Sequence, residues 1–178
     1  RLNMTMIYVT HDQYEALSFA EKIVVMKDGN IVQEGTPETL YDYPNTSFVG
    51  WFIGTPGMNI YNFSIKDNML DFNDFKINMP QNMKEILKGR TGMLQLGIRP
   101  EYVRYSKEEA KEGFFLTKLI SIENMGYFKV LTLKVGDTVI KGKVLREVEI
   151  NEGQETWVSI TEDEVNLRIY ENGVLITK

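Results

Sequence analysis

Residues 127–144, YFKVLTLKVGDTVIKGKV, decide the fold class of most of this chain. The stretch contains two runs that are rich in β-branched and aromatic residues, which are the residue types enriched in strands. Gly136-Asp137 separates the two runs and has the composition of a tight turn. The pattern therefore predicts a hairpin of two antiparallel strands, Tyr127–Val135 and Thr138–Val144.

Short strands and turns continue over the whole region from Met58 to the C-terminus. Many short strands at close spacing are typical of a β-sandwich or barrel. We therefore predict an all-β fold for this region. The other candidate strands are Asn59–Ile65, Met69–Phe72, Phe75–Asn78, Gly92–Ile98, Tyr102–Tyr105, Phe114–Asn124, Glu155–Ile160 and Val165–Tyr170, and the candidate short helices are Pro80–Leu87 and Lys107–Lys111.

The first third of the chain has a different, α/β pattern. Met6–Thr10 is an apolar run that does not alternate, as in a strand buried on both faces. Asp12 is placed to cap an amphipathic helix over residues 13–22, and Glu15 could complete a capping box. The elements predicted next are the strands Ile23–Met26 and Ile31–Gly35, a short helix that begins at Thr36-Pro37, and a second short helix over Ser47–Ile53.

The turn cluster Gly54–Gly57 is the best candidate for a domain boundary. The charge balance changes there. Residues 1–52 carry three basic and seven acidic side chains, net −4, whereas the remainder carries 17 and 18, net −1. We therefore expect one unit over residues 1–54 and a second over residues 55–178.

Composition excludes several classes of function. The chain has 178 residues, no cysteine and a single histidine, so thiolate chemistry and metal sites with two imidazoles are ruled out, and no metal ligands are predicted. Its net charge of −5 argues against nucleic acid or an anionic membrane as the main partner. No apolar run approaches the roughly 18 residues of a membrane span.

His11 is the candidate catalytic residue. A lone histidine after a strand is usually a capping or core residue, but this one lies between a predicted strand and a helix N-terminus. Ligands of α/β sheets bind at that position, and a helix N-terminus favours an anionic phosphate. A serine–histidine triad is disfavoured because the chain has no Gly-x-Ser-x-Gly turn.

Two other motifs are better explained as ordinary structure. Gly136 and Gly142-Lys143 come closest to a phosphate-binding loop, but their spacing is wrong and Val144 stands where Ser or Thr is required. Tyr127, Phe128 and the neighbouring lysines could form a stacking platform for single-stranded nucleic acid. Because neighbouring acidic residues balance the charge of those lysines, a solvated surface of mixed charge is the better interpretation.

Four stretches resemble one family. The segment YVTHDQYEAL at residues 8–17 resembles the histidine-switch segment of ABC transporter ATPases. Residues 23–37 look like the strand, hairpin and helix that close that ATPase domain, and residues 40–59 resemble its exit into a regulatory domain. The wording of that exit is typical of the sugar-importer branch, which includes maltose and glycerol-3-phosphate importers. GIRPE at residues 97–101 resembles a signature inside the regulatory domain.

The resemblance implies a mixed fold, with the α/β tail of a nucleotide-binding domain followed by an OB-like β-barrel of the regulatory (TOBE) type. Walker A, the glutamine loop, the signature sequence and Walker B precede the histidine switch in this family, and this sequence contains none of them. We therefore expect the C-terminal part of a longer ATPase subunit. By resemblance, His11 would contact the γ-phosphate in the full-length parent. The chain alone would have no cofactor-binding residues and no ATPase activity.

For the parent, the resemblance implies ATP and Mg²⁺ as cofactors and the transmembrane permease subunits of the importer as partners. It also implies a homodimer formed through the regulatory domain, and a cytoplasmic location on the inner face of the membrane. No nucleic-acid partner is expected. Two alternatives stay open: a stand-alone OB-type barrel that binds single-stranded nucleic acid, and a small-ligand sensor domain.

Overall fold

The computed structural model of this chain describes residues 5–106, 113–162 and 164–177, so the helix predicted at Lys107–Lys111 lies outside the described residues. The α-helices are α1 (Gln13–Phe19), α2 (Pro37–Asp42), α3 (Ser47–Phe52) and α4 (Gln81–Leu87), with 3₁₀ turns at Pro100–Tyr102 and Glu164–Asn166. The strands are β1 (Ile23–Lys27), β2 (Asn30–Gly35), β3 (Asn59–Lys66), β4 (Met69–Asp71), β5 (Lys76–Asn78), β6 (Leu94–Ile98), β7 (Arg104–Ser106), β8 (Phe115–Asn124), β9 (Phe128–Val135), β10 (Thr138–Leu145), β11 (Glu155–Ser159), β12 (Arg168–Glu171) and β13 (Val174–Leu175).

The strands after residue 58 form two antiparallel sheets around one apolar core. The five-stranded sheet has the order β10-β9-β8-β11-β7, and the six-stranded sheet has the order β13-β12-β6-β3-β4-β5. Buried side chains from both sheets belong to one cluster, which includes Leu96, Leu119, Leu133 and Ile169. This arrangement confirms the predicted all-β, OB-like unit, which we call the β unit.

Most predicted strands of the β unit are present, with ends shifted by one or two residues. The exceptions lie near the C-terminus. The strand predicted over Val165–Tyr170 begins only at Arg168, because the preceding residues form a 3₁₀ turn. β13 was not predicted, since two residues are too few to show an alternating pattern.

The hairpin β1–β2 follows the prediction. Asp28 and Gly29 both have positive φ angles, 51° and 78°, which is the backbone of a two-residue type I′ turn. Val25 of this hairpin joins Leu40, Val49 and Ile53 in a second, smaller apolar cluster, which therefore ties α2 and α3 to the hairpin.

The strand predicted over Met6–Thr10 is wrong. These residues are in an irregular conformation, and Ile7 and Val9 are 89% and 90% exposed. A strand buried on both faces requires neighbouring strands and covering helices. The described residues provide neither for this segment, so its apolar side chains remain in contact with water.

Polar side chains fasten the five-stranded sheet to the six-stranded sheet, among them those of Asn59 and Asp74. The amide of buried Asn59, in β3, donates from Nδ2 to the carbonyl of Lys141 in β10 and accepts from the Lys141 N–H, both at 2.8 Å. The Asp74 carboxylate accepts bonds from the N–H groups of Asp137 and Thr138 at the β9–β10 turn. Both contacts fall at the predicted hairpin.

Candidate functional site

His11 lies on the surface, between the irregular segment and α1. Its imidazole is exposed, and within the described residues it has no hydrogen-bond or ion-pair partner. The ring is therefore free to donate to or accept from a ligand, which a structural capping histidine would not be. No group of three acidic or histidine side chains in the described ranges could hold a metal ion.

The residues on both sides of His11 fix its position. The Asp12 carboxylate caps α1 by accepting bonds from the N–H groups of Tyr14 and Glu15, at 2.8 and 3.2 Å. The reciprocal half of the predicted capping box does not form. The Asp12 N–H donates to Thr10 Oγ1 instead, and the Glu15 carboxylate accepts from the hydroxyls of Thr10 and Tyr8. The hydrogen bond from the Tyr8 hydroxyl to the Glu15 carboxylate raises the pKa of Tyr8.

Gln13 links the His11 segment to the turn that leads into the β unit. Its Oε1 accepts a hydrogen bond from the Gly54 N–H at 3.1 Å. The turn itself requires glycine, because a Cβ at Gly57 would stand 1.8 Å from the carbonyl oxygen of Trp51. The sequence did not predict this role of Gln13, because a single glutamine at the start of a helix does not indicate a contact with a distant turn.

Arg99, the arginine of GIRPE, is buried where the β unit meets α2 and α3. Its Nη1 donates to the carbonyls of Gly50, at 3.0 Å, and Ile53. Its Nη2 donates to the carbonyl of Tyr41 at 2.6 Å, and its Cζ lies 3.9 Å from the centroid of the Tyr41 ring. Carbonyls in the last turn of a helix have no partner within the helix. One side chain thus satisfies the ends of both helices.

Arg168 makes an equivalent contact from β12, the strand next to β6. Within this strand pair, Arg168 lies opposite Gly97. It is also buried, and its Nε donates to the carbonyl of Asp42, the last residue of α2, at 2.9 Å. Its Cζ lies 5.3 Å from the centroid of the Tyr43 ring. An arginine within the apolar run Leu167–Tyr170 was the only sequence signal for this role.

Burial dominates the electrostatics of this junction. Desolvation lowers the pKa of the Arg99 guanidinium, although an arginine remains charged under ordinary conditions. Desolvation also raises the pKa of Tyr41, whose hydroxyl donates to Glu101 Oε1 at 2.5 Å. The Tyr41 phenol is therefore neutral and serves as a hydrogen-bond donor.

The lysines of the possible nucleic-acid platform are engaged with the protein itself. Lys143 Nζ lies 4.1 Å from the centroid of the Phe128 ring, and Lys129 Nζ donates to the carbonyl of Val148. Lys141 Nζ forms an ion pair with Glu123 at 3.3 Å. These contacts occupy cations that a single strand would need for its phosphates, so the geometry disfavours this alternative.

No protein-family model matches the sequence, but curated protein sequences do. The oligosaccharide import ATP-binding protein MsmX of Bacillus subtilis is 38% identical over 141 residues, which cover 73% of this chain and 39% of MsmX. The xylose/arabinose import ATP-binding protein XacK of Haloferax volcanii is 32% identical, covering 97% of this chain and 46% of XacK. The trehalose/maltose import ATP-binding protein MalK of Thermococcus litoralis is 33% identical, covering 96% and 48%.

The chain thus spans less than half the length of these relatives. Among solved structures, the molybdate-bound form of the cytoplasmic molybdate-binding protein ModG matches 65% of this chain and 95% of its own, at 12% identity and a TM-score of 0.48, which is a slight likeness. In the described ranges, no helix combines the length and apolar character needed to cross a bilayer. Over most of its length, this chain is therefore related to the ATP-binding proteins of ABC transporters, in the branch that includes the sugar importers.

Proposed function

We propose that this chain is the C-terminal portion of the ATP-binding subunit of an ABC importer for a sugar or a similar polar solute. Residues 1–54 would end the nucleotide-binding domain, and residues 55–178 would form its regulatory domain. The observation that carries the proposal is the similarity of nearly the whole chain to XacK and MalK, which are named for sugar import.

His11 is the residue we assign to nucleotide chemistry in the full-length parent. Two features support this assignment: its imidazole is exposed without a partner, and Asp12 and Gln13 anchor the backbone beside it. A neutral or protonated imidazole at this place can donate a hydrogen bond to the γ-phosphate of ATP. ATP and Mg²⁺ supply the phosphoryl chemistry, and the phosphate loop that would hold them does not occur in this sequence.

The remaining parts of the proposal concern assembly. The parent would work with transmembrane permease subunits on the cytoplasmic face of the membrane, and it would pair with a second copy through the β unit. The near balance of 17 basic and 18 acidic side chains after residue 52 supports the pairing, because it removes long-range repulsion between two such units. By itself, this chain would contribute regulation and assembly rather than catalysis.

A chimeric protein tests the proposal directly. The segment of Thermococcus litoralis MalK that matches 96% of this chain is replaced by this chain, and MgATP hydrolysis is measured by steady-state phosphate release. We expect the chimera to hydrolyse ATP. His11→Ala should then lower the rate roughly 100-fold, which is the usual effect of removing one donor to a developing negative charge.

Ser18→Ala is the matched control, because Ser18 is also exposed and lies on α1, away from its N-terminus. It should leave the rate within about twofold of the chimera. A folded chimera without hydrolysis would contradict the proposed equivalence to an importer subunit. Hydrolysis that survives His11→Ala would contradict only the role of His11.

A further inference from the structure

The junction between the helices and the β unit contains two buried arginines, each with its own tyrosine. Backbone hydrogen bonds also cross it, from Ser47 to Gly173 and from Leu175 to Asn45, at 2.9 Å each. We define the arginine clamp as Arg99 and Arg168 together with Tyr41 and Tyr43. The two arginines lie on or beside neighbouring strands, β6 and β12, and each of them contacts the C-terminal end of α2 through a carbonyl and an aromatic ring. No other contact in the described residues repeats this pairing of a buried arginine with a helix end and a tyrosine.

The clamp contains buried positive charge but no salt bridge. Arg99 and Arg168 are 2% and 7% exposed, and in the described part of the chain neither forms an ion pair. All their hydrogen bonds end on neutral carbonyls. The nearby Glu101 carboxylate accepts from the Tyr41 hydroxyl instead. The buried Nε of Arg99 has no acceptor among the described residues.

Neutral acceptors make the clamp different from a buried salt bridge. A buried cation that lacks a carboxylate keeps much of its desolvation cost. Opening the clamp would return two guanidinium groups and several carbonyls to water without breaking a direct ion pair. The closed and open arrangements are therefore closer in free energy than those of an ion-pair lock.

We propose that the arginine clamp is a releasable joint between the β unit and residues 37–53. In the closed state, which is the state seen here, α2 and α3 move with the β unit. In the open state, the two arginines turn to solvent, and the short backbone bridge between residues 45–47 and 173–175 separates with them. The helices then move with the β1–β2 hairpin, to which Leu40, Val49 and Ile53 remain bound through the smaller apolar cluster. The state of the clamp thereby influences whether a movement of the N-terminal region reaches the β unit.

Hydrogen exchange on the complete chain tests this joint, read by mass spectrometry on peptides from residues 37–53 and from β6. Arg99→Lys/Arg168→Lys keeps both charges but cannot reproduce the forked contacts or the stacking. We expect at least tenfold faster exchange over residues 37–53, and less than twofold change in β6.

Arg90→Lys is the matched control. Arg90 also donates to a carbonyl, that of Ile86, but it lies outside the clamp and forms an ion pair with Glu171 at 2.5 Å. It should leave exchange over residues 37–53 unchanged. Equal exchange rates over residues 37–53 in the double variant and the unmodified chain would overturn the proposal. So would acceleration of both regions together, since that would make the arginines part of the global core.

A second measurement needs no variant and covers the case in which the double variant does not fold. Exchange of the unmodified chain is followed in low concentrations of urea, where partial openings are distinguished from global unfolding by their weaker urea dependence. We expect the amides of α2 and α3 to exchange through a partial opening in which β6 stays protected. Identical urea dependence for the two regions would refute the joint.

Discussion

Removing the side-chain amide of Asn59 should destabilise the chain substantially, because this buried group makes a pair of hydrogen bonds between its two larger sheets. β10 is an edge strand, and Asn59 occupies the place of the missing neighbour: it accepts from the N–H of Lys141 and donates to its carbonyl, both at 2.8 Å. A third, longer bond of 3.3 Å runs to the carbonyl of Ile98.

The expected magnitude follows from these contacts. Each net hydrogen bond contributes on the order of 1 kcal/mol, and Asn59→Ala also leaves the two Lys141 backbone groups without partners. We therefore expect a loss of about 3 kcal/mol in the free energy of unfolding. For a chain of this size, that corresponds to a fall of about 6–12 °C in Tm. Urea denaturation followed by circular dichroism measures the first quantity, and calorimetry measures the second.

Asn62→Ala is the control on the same strand. Asn62 is exposed and accepts a single side-chain bond from Gln95, so its loss should cost less than about 1 kcal/mol. If Asn59→Ala and Asn62→Ala cost the same, the two sheets are not joined through Asn59, and the reasoning fails.

Asn59→Asp adds a test with a defined sign. The new carboxylate would face the carbonyls of Lys141 and Ile98, which disfavours its charged form and raises its pKa in the folded chain. The protonated side chain contributes its stability fully below the unfolded-state pKa of about 3.9, and that contribution is lost as the pH rises through the raised folded pKa. The deficit relative to Asn59 should therefore be larger at pH 7 than at pH 4.

Four further outcomes are expected. Gly57→Ala should lower the free energy of unfolding by about 1–3 kcal/mol or prevent folding, since its Cβ would overlap the Trp51 carbonyl. Gly142→Ala should lower it less, because its Cβ would meet no atom closer than 3.5 Å, and urea titration compares the two variants. Asp71→Asn should reduce the loss of stability between pH 6 and pH 3, which parallel urea titrations at both pH values measure. The Asn73 N–H and the lysines at positions 66 and 76 lower the pKa of Asp71 in the folded chain. The stabilisation by Asp71 is therefore present above its unfolded-state pKa and is lost as the pH falls through its lowered folded-state pKa. The isolated chain should release no phosphate from MgATP above a buffer blank, and turnover that persists in His11→Ala would contradict the assignment. A shortened chain of residues 55–178 should unfold cooperatively on heating and sediment in a concentration-dependent manner, and a folded strict monomer would contradict the dimer.

The sequence by itself determined the local structure of the chain. Alternating apolar residues, glycine-containing turns, and the capping residues Asp12 and Thr36 act over a few neighbouring positions, so their effects can be predicted without knowing the rest of the fold. The hairpins, the short helices and the all-β character of residues after 58 were therefore predictable. The motif around His11 also named the candidate site, because a motif is itself a local pattern.

Only the tertiary structure decided what depends on distant partners. Met6–Thr10 has the composition of a buried strand, but a strand forms only where a neighbour supplies its hydrogen bonds. Arg99 and Arg168 are polar residues that sequence rules place on the surface, yet both are buried, because helix ends more than forty residues away offer them carbonyls. Asn59 joins two sheets for the same reason: its partner is 82 residues further along the chain. Such pairings arise from how the sheets and helices meet in space, and no local pattern encodes them.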